Sequence, residues 1–88
     1  MQKYLAEFFG TCFLVYIILV TANPVAIGAT LAIIMFILAP ISGGFVNPAV
    51  TFAMAYTNQI AVKEILPYCL AKILGGLTAV ELAKMIPL

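Results

Sequence analysis

Histidine, tryptophan and arginine are absent from this 88-residue chain, and charged residues make up only 8% of it. Without histidine, and with scattered carboxylates and two isolated cysteines, the chain has no nucleophile–base constellation, so an enzyme is not expected. Cys12 and Cys69 both fall in apolar runs and lack metal-ligand spacing, which argues for small membrane- or core-facing residues and against a disulfide or zinc site. No cofactor or metal is therefore expected. The formal net charge is only +1 and no basic patch exists, which removes nucleic acid as a partner.

Apolar surface is what the chain has instead. Hydrophobic residues account for 66% of it, and the mean hydropathy is +1.24. A soluble fold of this size buries only about 60% of the surface its chain exposes, too little to hide such a sequence. The composition is that of an integral, multi-pass membrane protein whose first partner is the lipid bilayer. Residues 1–22 have a weak basic start at Lys3 and a loose cleavage-like Val20-Thr21-Ala22. The apolar run is long for a signal peptide and carries Glu7, so it is read as a retained span.

Tyr4 to about Ala22 is long enough to cross a hydrocarbon core of about 30 Å as a helix. It stops at Thr21-Ala22-Asn23-Pro24, a turn signal, because the residue before a proline is pushed out of the helical region. Val25 to about Pro40 forms a second, slightly short span, antiparallel to the first. A third runs from about Val62 to Met85, with Pro67 near its start, where proline costs least.

Between the second and third spans lies Ser42-Gly43-Gly44-Phe45-Val46-Asn47-Pro48-Ala49-Val50-Thr51. Asparagine is a preferred N-cap and proline is favoured at the first helical position, so a short helix is expected from Pro48 to about Thr57. That helix would be about 15 Å long, half the hydrocarbon thickness. Residues 42–46, if extended at about 3.3 Å each, would cover a similar depth. The segment thus reads as a re-entrant loop, residues 41–47, followed by a half-helix. Pro48–Tyr56 lacks the charged face that an interfacial helix needs. Non-helical backbone at that depth requires water or protein beside it. Asn47, at the positive end of the half-helix dipole, would cap Ala49 or Val50 and point two N–H donors at its surroundings. Such donors orient water and repel cations, as in a pore for neutral molecules. A plain structural cap in a packed loop is the alternative.

This ten-residue stretch resembles the first signature loop of the aquaporin and aquaglyceroporin family. Ala6-Glu7-Phe8-Phe9-Gly10-Thr11 is similar to that family's first-helix motif. Tyr68-Cys69-Leu70-Ala71-Lys72-Ile73-Leu74-Gly75-Gly76 is similar to its third-helix motif. The resemblance implies an all-α membrane fold, with three transmembrane helices and one re-entrant half-helix forming the first of two inverted halves. It further implies a path lined by Asn47, Pro48 and Ala49 and by the carbonyls of Gly43, Gly44 and Phe45. Ile27 falls at a selectivity-filter position usually aromatic, which weakens strict water specificity. Glu7 would support the loop from the first helix. Phe45 replaces the usual histidine and Lys72 the usual glutamine, while the filter arginine belongs to the other half. Two placements of Lys72 remain open: a pair with Glu7 of the same or a neighbouring chain, or a snorkelling side chain. Small residues at four-residue spacing, Ala6–Gly10 and Ala71–Gly75–Ala79, suit tight helix crossings.

Lys3 and Lys63 fall on one membrane face and Lys84 on the other, a bias of one lysine, so insertion in both orientations is open. Inverted pairs would rebuild the two-half architecture from one chain. The expected function is a passive channel for water and small neutral solutes such as glycerol, formed by a homo-oligomer of inverted pairs and extending to a tetramer of pores. The alternatives are a non-conducting half that joins a second half-channel chain, and an inactive truncated product.

Overall fold

The computed structural model describes residues 1–44, 46 and 48–86, with Pro48 described by its backbone alone. Among these the chain forms α1 (Gln2–Thr21), α2 (Pro24–Ser42), the short α3 (Pro48–Tyr56), a 3-10 turn at Val62–Glu64 and α4 (Ile65–Met85), with no strand. Three stretches are long and apolar enough to cross a membrane: Gln2–Thr21, Pro24–Ser42 and Val62–Met85. At 1.5 Å per residue each reaches about 30 Å, and the molecule's longest dimension is 39 Å.

Local chemistry explains the element ends. Ala22 adopts a left-handed φ of 49° and returns its N–H to the Ile18 carbonyl, closing α1. Asn23 then caps α2: its Oδ1 accepts from Val25 N at 2.8 Å and Ala26 N at 3.1 Å, with Pro24 at the first helical position. These bonds satisfy donors that a helix start otherwise leaves open. At the end of α3, Asn58 takes a φ of 64° and Gln59 N bonds back to the Met54 carbonyl at 2.7 Å, a left-handed stop of the usual kind.

Two expectations for the centre of the chain need correction. α2 does not stop near Pro40 but runs to Ser42. Pro40 sacrifices one backbone bond, and the helix closes past it with a single Gly43 N–H shared between the Leu38 and Ala39 carbonyls. Nor is the segment after it extended. Gly43, Gly44 and Val46 have φ of 92°, 64° and 39°, so at these three residues the backbone is left-handed rather than extended. A Cβ at Gly44 would stand 3.1 Å from the Met35 backbone, so glycine is needed there for space as well as for its dihedral.

α1 is the hub, packing along both α4 and α2, with α3 lying on α4. The α1–α4 crossing is tight because Gly75 faces the Phe8 carbonyl, where any Cβ would collide. Ala71 and Ala79, one turn to either side, are buried in the same seam. At one end Lys3 pairs with Glu64, which Tyr4 also reaches at 3.4 Å, and Tyr4 meets Tyr68 edge-on at 5.4 Å. At the other, Tyr16 donates to the Ile86 carbonyl, and Lys84 pairs with Glu81 at 3.3 Å in the open.

Candidate functional site: the loop before α3 and its polar anchor

Glu7 sits in the first half of α1 and is fully buried. Its carboxylate accepts from Val46 N at 2.9 Å and from the Ser42 hydroxyl. Ser42 Oγ in turn accepts from Gly44 N at 3.3 Å, and the Ser42 carbonyl accepts from Tyr68 OH at 3.1 Å. Backbone N–H groups that the left-handed turn takes out of helical bonding are thereby satisfied by side chains from α1 and α2.

Lys72 reaches this cluster from α4. Its Nζ is 3.7 Å from Glu7 Oε1, donates to Thr51 on α3, and lies 5.3 Å from the centre of the Tyr68 ring. Lys72 does not snorkel: it is 3% exposed and pairs with Glu7 of its own chain. One connected set of polar groups therefore ties together all four helices and the loop. A buried ion pair of this kind is held by mutual attraction plus extra hydrogen bonds that offset the loss of water.

On the opposite side of the loop lies a cavity of about 240 Å³. Leu14 of α1, Leu31 and Met35 of α2, Gly43, Gly44 and Val46 of the loop, and Val50 and Met54 of α3 form its wall. Among the described residues its side chains are all apolar, so their polar contact with an occupant falls to the backbone. Ile27 is half-buried one helical turn beyond Leu31, continuing the Leu31–Met35 stripe toward the start of α2. Ala49 is exposed on α3, next to Val50 on the cavity wall. Asn47 and Phe45, the other residues singled out for the path, lie outside the described residues, as does the side chain of Pro48.

Sequence reasoning named Glu7 and Lys72 but not the roles of Ser42, Thr51 and Tyr68, which complete the anchor. The available signal was their polarity within otherwise apolar runs at membrane depth. Thr11 was missed for the same reason. Its hydroxyl is buried without a hydrogen-bond partner among the described residues.

Comparison with known proteins accords with this geometry. The family described as Major intrinsic protein matches residues 1–87. The chain is 36% identical to glycerol uptake facilitator protein-like 6 of Lactiplantibacillus plantarum, an alignment covering 96% of this chain and 43% of that protein. It is 32% identical to aquaporin Z of Brucella melitensis, over 98% of this chain and 44% of the relative. It is 33% identical to aquaglyceroporin AqpS of Rhizobium meliloti, over 73% and 28% respectively. The chain thus spans less than half the length of these relatives. No solved structure matches it.

Proposed function

This chain belongs to the major intrinsic protein family as an integral, multi-pass membrane protein, and from that premise we propose that it forms a passive channel for water and small neutral solutes such as glycerol. The conducting unit is two half repeats in opposite orientations, with the two α3 starts meeting around Asn47, Pro48 and Ala49. The observation that carries this reading is the cavity bounded by Gly43, Gly44, Val46 and Val50, at the foot of a half-length helix. Irregular backbone persists at membrane depth where it borders such a space.

In this reading Asn47 is given the part that Asn23 plays at the start of α2, capping with its oxygen and offering its NH₂ to the permeant. The Gly43, Gly44 and Phe45 carbonyls accept from solute hydroxyls, and the helix dipole repels cations. Ile27 narrows the mouth without a polar or aromatic ring, so the constriction is wide and apolar. Glu7 and Lys72 hold the loop in place from behind.

Proteoliposomes containing only this chain, challenged osmotically and followed by light scattering, provide the test. Shrinkage faster than in empty vesicles, and loss of that increment with Asn47→Leu, is the expected result. Rates equal to empty vesicles would overturn self-sufficiency. They would favour the second reading, a non-conducting half completed by a separate chain.

A further inference from the structure

The chain holds four methionines, and they divide by place. Met1 and Met85 lie at the outer ends of α1 and α4, 83% and 76% exposed. Met35 of α2 and Met54 of α3 instead both line the apolar cavity. The other side chains of its wall, Leu14, Leu31, Val46 and Val50, are aliphatic and inert toward small solutes. A thioether is not inert, because its sulfur oxidises to a sulfoxide. Among the described residues, the two sulfurs are therefore the reactive side-chain atoms of that wall.

Neither sulfur is sealed into the core. Met35 is 48% exposed and Met54 is half-buried, on the face that the channel reading fills with water and closes against lipid with the opposite half. Hydrogen peroxide is small, neutral and hydroxylic, the same class of solute as the proposed permeants. A peroxide molecule that enters with the water meets both sulfurs. Behind Met35 there is no slack: a Cβ on Gly44 would already stand 3.1 Å from its backbone. An oxygen added to the Met35 side chain thus takes its room from the cavity of about 240 Å³. It also turns an apolar wall atom into a polar acceptor, which holds passing water and solute hydroxyls instead of letting them slip by.

We propose that Met35 and Met54 form an oxidation site for hydrogen peroxide, and that their conversion to sulfoxides throttles the path. In each reaction the sulfur lone pair attacks one peroxide oxygen, and the O–O bond breaks as the S–O bond forms. The departing hydroxide takes the proton of the transferred oxygen and leaves as water. The thioether is oxidised, the peroxide is reduced, and no further reactant is needed. The proposal rests on the channel reading and adds to it a regulation of the path by a solute small enough to enter it.

The test uses a Cys12→Ala, Cys69→Ala background, which removes thiol oxidation, in proteoliposomes of diphytanoyl phosphatidylcholine, whose saturated chains resist peroxide. After hydrogen peroxide treatment, peptide mass mapping should find one added oxygen at Met35 and one at Met54. The osmotic flux increment should fall about two-fold or more relative to the same preparation before treatment. With Met35→Leu and Met54→Leu added, a swap of similar volume, the ratio of treated to untreated flux should stay near one. Met54→Gln, which carries a permanent acceptor, should slow the flux without any oxidant. Oxygen added at Met1 and Met85 but not at Met35 or Met54 would overturn the site. Unchanged flux after oxidation of Met35 and Met54, the same slowing in the leucine variant, or parental flux in Met54→Gln would each overturn the throttle. Empty-vesicle rates before treatment would remove the channel reading and the throttle with it, while the mass map would still decide the oxidation site.

Discussion

Glu7 and Lys72 form a buried pair of opposite charges in a region built to exclude charge, and each depends on the other. Removing one partner of such a pair costs about 3–5 kcal/mol, because the survivor is left uncompensated. Lys72→Gln should therefore lower the thermal midpoint in detergent sharply, and Glu7→Gln should do so as well. The double variant Glu7→Gln, Lys72→Gln should be less destabilised than the sum of its parts. Additive effects in that cycle would mean that the two side chains are not energetically coupled. Of this anchor, the two charges were legible in the sequence because charge is so scarce there. Ser42, Thr51 and Tyr68 were not, since nothing in their spacing reveals that a turn at Val46 presents an N–H to Glu7. Val46 combines a left-handed dihedral with a bond to a residue 39 positions earlier, and such a contact has no local signature.

Among the elements, α2 and α3 both start at the proline of an Asn-Pro pair in the sequence, and at α2 the asparagine caps the helix through two bonds. Asn23→Ala should cost about 1 kcal/mol of stability through loss of two capping bonds, with little change in water flux. Asn47→Ala should have a similar cost but abolish the flux increment, and comparing the two separates capping from conduction. The α1–α4 crossing is less forgiving. Gly75→Val would drive side-chain atoms into the Phe8 backbone, so it should abolish the monodisperse peak on size exclusion. Span positions were legible because hydropathy is a sum over about twenty residues and tolerates local errors. The end of α2 was not, because the helix runs through the lost bond at Pro40 to a cap three residues later.

At the scale of the whole molecule, the wall of the cavity is aliphatic and thioether from Leu14 to Met54, with Ile27 one turn beyond it. An apolar, unobstructed mouth should pass glycerol alongside water. Ile27→Phe should lower glycerol flux more than water flux in the same vesicles, and equal reductions would remove Ile27 from the constriction. Orientation is also a property of the whole chain, and the lysines at its two ends nearly balance. Single-cysteine tags at the N-terminus should react from both sides of sealed vesicles, and two lysines added beside Lys84 should shift that labelling to one side. The three spans could be read from the apolar runs and the turn signals between them.

The link between Glu7 and Lys72 also has a history in time. Ribosomes deliver α1 before α4, so the carboxylate enters the membrane several seconds before its counter-ion exists, at about 5–20 residues per second. During that interval α1 carries an acid that hydrocarbon disfavours, and release into lipid would strand it. Biogenesis of this protein should therefore keep α1 beside the insertion machinery until α4 arrives, so that the first span is the last to be set free.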